Sequence, residues 1–378
     1  MAEIYKRNTK WAYRVNYRDR DGKRKSVSKS GFSLKREAEI AALEVERKKA
    51  RNGALDKESV TIADYFEYWL DLYKYGKHSQ ITEARYPLVL KTIQQYFPNT
   101  KLKDITKSDY QHFLNEYSKG ETHQRSKITV RKTNGYIRSM ADAAIDDQII
   151  FSNFTHNAVI SGSDGKKESE KFMQLDELKQ LKELLLNELD FKAIGKHIIL
   201  TGLLTGARYS ELVGLTWDDI DFKERKLTID KTWDYKFYTG FKPTKNQSSI
   251  RTIDINKELV DILKILKQTQ QEYYLLHGYR DEFNLVFRNN RFEVPSNSAV
   301  NKLLKSIERR LNFDANYTFH SLRHSHVSFL LSQGIDIFYI SKRIGHKDIS
   351  VTQRVYSHLL DITSKKEANK ALDALTSL

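Results

Sequence analysis

No cysteine occurs among the 378 residues, which excludes disulfides, thiolate metal sites and a cysteine nucleophile at once. Nor is there a run of roughly 18 apolar residues of the kind that crosses a bilayer. Hydrophobic residues make up 39% and charged residues 30% of the chain, the balance of a globular protein. Met1 to Tyr17 alternates polar and apolar residues and lacks the unbroken apolar segment of a secretion signal. The expectation is a cytoplasmic protein, and the absence of thiols agrees with a reducing compartment. Internal repeats and low-complexity tracts are also missing. A chain of this length is too long for one ordinary core, so two or three domains are expected.

What is abundant is positive charge. With 64 Lys and Arg against 49 Asp and Glu, the formal net charge is +15, which favours a polyanionic partner. Residues 1 to 55 hold 16 Lys and Arg against 7 Asp and Glu, a surplus of nine. Within this segment Trp11, Tyr13, Val15 and Tyr17 alternate with polar residues, the pattern of a strand with one buried face. Asp21-Gly22 suits a turn, and a second strand is expected from Lys25 to Ser28, broken by Gly31. Ser33 is placed to cap a helix whose apolar positions are Ala38, Ala41, Ala42 and Val45. Such a sheet, carrying Arg14, Arg18, Arg20, Lys23, Arg24 and Lys25, has the dimensions to enter a DNA major groove. A surface hairpin or a solubilising basic tail remains open as the plainer reading.

The pattern lapses at Asn52-Gly-Ala-Leu-Asp56, which reads as a linker. From Thr61, the cap of a helix carrying Ile62, Tyr65, Phe66, Trp69 and Leu70, helical spacing continues to about residue 155. Its segments centre on Arg85 to Tyr96, Lys107 to Tyr117 and Lys127 to Ile145, with Lys and Arg between the apolar positions. A second boundary falls between Ser161 and Glu170, where Gly, Ser, Lys and Glu replace apolar residues. Beyond it the spacing is mixed: helices surround a strand-rich insert with strands expected at Lys226 to Lys231, Tyr235 to Lys242 and Ser249 to Ile255. The fold class is therefore multidomain and mainly α with β. It comprises a small N-terminal sheet plus helix, a helical middle domain, and a mixed α+β domain with a three-stranded sheet.

Four short segments of the last domain concentrate cationic side chains beside glycine turns and helix starts. These are Thr205-Gly-Ala-Arg208-Tyr-Ser-Glu211-Leu, Pro243-Thr-Lys245-Asn-Gln-Ser-Ser-Ile-Arg-Thr-Ile, His320-Ser-Leu-Arg323-His324, and Gly345-His346 followed ten residues later by Tyr356. His320 and Arg323, at i and i+3, share one helical face. Taken singly each has an ordinary explanation: a surface ion pair, a packed histidine, or one of 21 tyrosines. The ordered set is far more specific. The carboxylates Asp218, Asp219 and Asp221 are too local for a two-metal site, which gathers acids from separate elements, and read as a helix-to-strand turn.

In this order the residues resemble the tyrosine recombinases of the phage integrase family: Thr-Gly-Ala-Arg208-x-Ser-Glu211-Leu, then Lys245, His320-x-Leu-Arg323-His324, Ile344-Gly345-His346 and Tyr356. Two departures are small, Ile344 for the commoner leucine and Ser321 for an acidic residue. The resemblance covers essentially the whole chain. It implies an arm-type DNA-binding domain at 1–55, a helical, SAM-like core-binding domain at 59–160 and a catalytic domain at 170–378, as in three-domain integrases of phages and conjugative transposons.

The resemblance further implies a chemistry. Attack on a phosphodiester develops negative charge on the nonbridging oxygens, so fixed cationic donors are needed. Planar guanidinium groups of Arg208 and Arg323 suit two oxygens each, with His320 and His346 adding hydrogen bonds. Glu211 would orient or neutralise neighbouring cations, or serve as an ordinary helix carboxylate. Tyr356 is the implied nucleophile and Lys245 the implied general acid, with Lys242 its nearest rival. No metal or cofactor is expected, and no ATP either, because the 3′-phosphotyrosine conserves the bond energy until a 5′ hydroxyl reverses the step. Implied partners are double-stranded DNA at core and arm attachment sites, a homotetramer around a Holliday junction, and the excisionase and host DNA-bending protein that such enzymes use. The tail from Asp361 to Leu378, with Ala368, Leu372 and Leu375 on one helical side, would dock on a neighbouring protomer or on its own domain. A type IB topoisomerase-like enzyme and a catalytically inactive DNA-binding regulator are the alternative functions.

Overall fold

The computed structural model describes residues 2–7, 10–18, 24–52, 59–165, 170–237, 239–244, 246–314, 316–350, 352–353 and 375–376, without the side chains of 17, 18, 24, 25, 27 and 44–52. Lys245, Tyr356, Arg20, Lys23, Ala368 and Leu372 lie outside the described residues, as do the side chains of Arg18, Arg24, Lys25 and Val45. The chain divides into two compact units, Met1–Gly165 and Lys166–Leu378.

In the first unit, β1 (Glu3–Arg7), β2 (Lys10–Arg18) and β3 (Arg24–Phe32) form an antiparallel sheet in the order β1-β2-β3. Period two does its expected work: Tyr13 and Val15 are buried while Arg14 and Asn16 are exposed, and α1 (Lys35–Asn52) lays Ala42 against the buried face. Two details differ from expectation. Gly31 does not end the second strand. The register shifts between Trp11 and Ala12, so that Trp11 pairs with Phe32 and Ala12 with Ser30, and Gly31 is absorbed as a bulge. Ser33 does not cap α1 either, because the helix starts two residues later and the Glu37 carboxylate folds back to accept the backbone N–H groups of Ser33 and Leu34.

Five helices follow: α2 (Ile62–Tyr73), α3 (Gln80–Glu83), α4 (Tyr86–Tyr96), α5 (Lys107–Lys119) and α6 (Lys127–Asp146). Thr61 caps α2 as expected, its hydroxyl accepting the Asp64 N–H at 3.1 Å. The apolar positions of α2 enclose one core with Ile93, Phe113, Leu114, Ile137 and Met140, which is what leaves Lys and Arg on the outside.

The second unit is organised around α8 (Ile194–Thr205), a helix buried along nearly its whole length, as the central member of a helical layer must be. Around it stand α7 (Leu175–Asn187), α11 (Asn297–Arg310) and α12 (Phe319–Ser332), with α9 (Tyr209–Leu212), α10 (Lys257–Leu276) and α13 (Ile337–Ile344) completing the helices. A three-stranded antiparallel sheet is present, but its members are β4 (Ile220–Asp221), β5 (Lys226–Ile229) and β8 (Arg251–Asp254) in the order β4-β5-β8. The stretch Tyr235 to Lys242 is not a strand. It is mostly a loop between β6 (Lys231–Trp233) and β7 (Phe241–Pro243), because buried Asp234 draws the chain back on itself. Its carboxylate accepts the N–H groups of Lys236 and Phe237, the Thr239 hydroxyl and the Lys242 ammonium. Among the described residues no helix is long and apolar enough to cross a membrane.

Candidate active site

Arg208 is delivered by a turn that only glycine accommodates. Gly206 ends α8 in the left-handed region at φ 67°, and a Cβ added there would lie 2.8 Å from Cδ2 of buried His326. The chain then extends, and Arg208 caps the short helix α9. Glu211, one turn on, holds this cationic residue twice: one carboxylate oxygen accepts the Arg208 backbone N–H at 2.9 Å and the other accepts its guanidinium at 2.6 Å.

His320 and Arg323 emerge from the first turns of α12, whose start is stabilised by Ser321. Its hydroxyl accepts the Thr318 N–H at 3.1 Å, the task an acidic residue would perform there. Arg323 is buried, and its guanidinium donates to the Gly206 carbonyl at 2.8 Å and the Ile344 carbonyl at 2.7 Å. It thus ties the turn that launches Arg208 to the end of α13. That end is a second left-handed glycine, Gly345 at φ 69°, whose carbonyl receives Arg208 at 3.4 Å. Ile344 is fully buried with Val327, Leu331 and Ile340, so a branch at Cβ in place of leucine's at Cγ is accommodated. His346 follows directly, its Nδ1 2.8 Å from the Thr352 hydroxyl.

The electrostatics agree that these groups converge. Desolvation, then the charges of Arg323 and Arg208, depress the His320 pKa below the ordinary histidine value, although the residue retains solvent contact. The same two arginines act on His346, where burial first and then Arg323, Arg208, His324 and His320 lower the pKa to about 4. Both imidazoles are therefore neutral at pH 7 and able to accept as well as donate. The ring of His324 stands edge-on to that of His320 at 4.9 Å. Beside Arg208 and His320 opens a recess of about 430 Å³, lined also by Tyr235, Asn297 and Asn301, so the basic groups border accessible space.

Three features were not legible beforehand. Arg251, on β8, is buried and donates its Nη2 to Glu211 at 2.9 Å. Burial alone would raise the Glu211 carboxyl, yet Arg251 and Arg208 together hold it below the usual carboxylate range. A signal for Arg251 did exist: it falls on the inward register of Arg251, Ile253 and Ile255, where an apolar residue is expected. Arg343 bonds the Asp254 carbonyl at 2.9 Å and approaches Nε2 of His326 at 3.3 Å. Lys242, the rival to Lys245, has its ammonium 2.6 Å from Asp234, whose carboxyl is held low by that ammonium and its other donors against the upward pull of burial.

The acidic trio is a turn, as expected. Asp219 accepts the Thr216 N–H and pairs with Lys231, Asp218 accepts from Asn284, and Asp221 accepts the N–H groups of Lys223 and Glu224. Among the described residues no group of three or more His, Asp or Glu is arranged to hold a metal ion. On the N-terminal sheet, Arg14 lies exposed 5.9 Å from the Tyr5 ring, while Lys6 and Lys35 approach Trp11 at 6.0 and 5.9 Å.

A sequence model of the phage integrase family matches residues 171–362, just over half the chain. A model of an arm DNA-binding domain matches residues 3–49, and one of the phage integrase N-terminal SAM-like domain matches residues 61–118. A tyrosine recombinase XerC-like protein of Caldanaerobacter subterraneus subsp. tengcongensis is 29% identical over 99% of this chain and 98% of its own. Among solved structures, the Tn1549 transposon integrase in complex with transposon right end DNA superposes with a TM-score of 0.68 at 17% identity, covering 82% of this chain and 99% of that one. A lambda integrase tetramer bound to a Holliday junction superposes with a TM-score of 0.58 at 18% identity, covering 91% and 95%.

Proposed function

The chain belongs to the phage integrase family, the tyrosine recombinases, and on that premise we propose which of its residues carry the reaction. Arg208 and Arg323 grip the nonbridging oxygens of one scissile DNA phosphate, and His320 and His346 complete the cradle. Tyr356 attacks the phosphorus, its hydroxyl proton being lost as the bond forms. A phenol with a pKa of about 10 needs the surrounding cations to make that loss affordable at neutral pH. Lys245 gives a proton to the departing 5′ oxygen, and the reverse attack by a 5′ hydroxyl of a second duplex releases the tyrosine.

The observation that carries this reading is the crossed support of the two arginines. Arg323 bonds the carbonyls of Gly206 and Ile344 while Arg208 bonds the carbonyl of Gly345, so two segments far apart in sequence present their guanidiniums to one locus. Lys242 is a poor alternative acid because its ammonium is engaged by Asp234.

The proposed division of labour is an arm-binding segment at 1–55, a core-binding segment at 59–160 and the catalytic segment at 170–378. Exposed Arg14 on the N-terminal sheet supports the first assignment, with Arg18, Arg20, Lys23, Arg24 and Lys25 as its further DNA contacts. The DNA in the Tn1549 complex and the junction-bound lambda tetramer support double-stranded DNA as substrate and four protomers as the working assembly. An excisionase and a host DNA-bending protein are the proposed accessory partners, and the cytoplasm, at the nucleoid, the proposed location. Neither a topoisomerase-like nor an inactive-regulator reading gains support from the relatives.

The test incubates the full chain with DNA flanking its own gene, maps the strand junction, and then traps the covalent adduct on a nicked duplex of that sequence. Tyr356→Phe is expected to abolish the adduct and retain DNA binding, and EDTA to change neither. An adduct that persists in the variant would overturn the assignment of the nucleophile.

A further inference from the structure

We propose that Arg251 is a positioning residue of the recombination site, holding the end of α13 so that Arg208, Arg323 and His346 keep one geometry. The inference rests on the reading of Arg208 and Arg323 as phosphate ligands. It starts from an anomaly of pattern, since a guanidinium occupies an inward strand position with its side chain only 5% exposed. Burying such a charge is costly unless every donor finds a partner.

The partners come from three separate segments. Nε donates to the Arg343 carbonyl at 2.7 Å, Nη1 to the Ser249 carbonyl at 2.7 Å, and Nη2 to Glu211 at 2.9 Å. The first is the last turn of α13, the second the turn that follows Lys245, and the third the carboxylate that grips Arg208. The last carbonyls of a helix have no intrahelical partners and carry the negative end of its dipole. Here three consecutive ones are taken by three arginines: Arg343 by Arg251, Ile344 by Arg323, and Gly345 by Arg208.

The fit leaves no slack. A Cβ on Gly345 would meet Nη1 of Arg251 at 3.0 Å and the Ser248 carbonyl at 3.1 Å. A lysine could keep the charge near Glu211, but a single ammonium cannot present the three-way fork. The structure thus separates charge from geometry, and Arg251→Lys removes the second while keeping the first.

The experiment uses the full chain on the nicked duplex of its mapped crossover site, with either the natural scissile phosphate or a methylphosphonate there. The methyl group removes the negative charge that Arg208 and Arg323 are there to meet. Displacement of such groups by about 1 Å costs on the order of 100-fold, so Arg251→Lys should slow adduct formation on the phosphate by roughly that factor with little change in DNA affinity. On the methylphosphonate its deficit should shrink about tenfold or more, because charge stabilisation matters less there. Arg251→Met, which also removes the charge, should show the same pattern with a larger deficit, and thermal melts of both variants monitor folding.

Equal deficits on the two substrates, wild-type rates in Arg251→Lys, or losses that track unfolding in both variants would assign Arg251 a structural role and overturn the proposal. Arg208→Lys runs in parallel. If it too shows no relief on the neutral substrate, the phosphate-ligand reading fails; if it shows relief and Arg251→Lys does not, only the present inference fails.

Discussion

Acidification should destabilise the second unit, Lys166–Leu378, through His326, a residue outside the proposed chemistry. It is buried against Gly206, its Nδ1 donates to the Leu203 carbonyl at 2.9 Å, and its Nε2 lone pair faces the Arg343 guanidinium at 3.3 Å. That geometry admits only the neutral ring, and desolvation followed by the Arg343 charge depresses its pKa from 6.5 to about 3. The unfolded chain then takes up a proton near the ordinary value while the folded one does not. The stability His326 contributes is therefore complete above pH 6.5 and drains away as the pH falls toward 3. At about 1.4 kcal/mol per pH unit below 6.5, the drop from pH 7 to pH 5 removes about 2 kcal/mol. Urea melts at the two pH values, followed by the fluorescence of Trp217 and Trp233 in this unit, measure the loss. His326→Gln should be less stable at pH 7 because the Leu203 bond is gone, yet its further loss at pH 5 should be smaller by that same 2 kcal/mol. His197 and His346, whose pKa values burial also lowers to about 4, titrate equally in both proteins and cancel. An undiminished acid loss in the variant would refute the argument.

Glu211→Gln leaves Arg208 and Arg251 adjacent without their shared countercharge. Breaking a buried pair from one side costs about 3–5 kcal/mol, so the thermal midpoint should fall clearly and adduct formation with it; a midpoint near wild type would show that the carboxylate is dispensable. Gly345→Ala should slow adduct formation more than its stability loss explains, because left-handed strain of about 1 kcal/mol is joined by a displaced Arg251. A rate that follows stability alone would count against this.

The motifs proposed to be catalytic were legible because each is local. A glycine before an arginine, or two residues at i and i+3, declares a turn or a helix face without knowledge of the rest of the chain. Arg251 escaped because its meaning lies in partners 40 and 92 residues away, and only its place in the strand alternation hinted at burial. Tyr235 to Lys242 was misjudged for the opposite reason: alternating side chains look like a strand, but the bonds gathered by Asp234 override them. At Gly31 the glycine signal was sound and its consequence misassigned, since a bulge and a strand end both call for the same residue. Lys245 and Tyr356, read from the order of motifs, are outside the described residues.

Orientation by main-chain oxygens has a consequence for the field these arginines project. A carbonyl is a dipole, so it fixes the direction of a guanidinium without cancelling its unit of charge, whereas a carboxylate does both. Arg323 is aimed by two such dipoles and Arg208 by one besides its share of Glu211. The cleft can therefore be rigid before any polyanion arrives and still greet it with most of its positive potential unspent, which makes preorganisation and long-range attraction products of the same helix end.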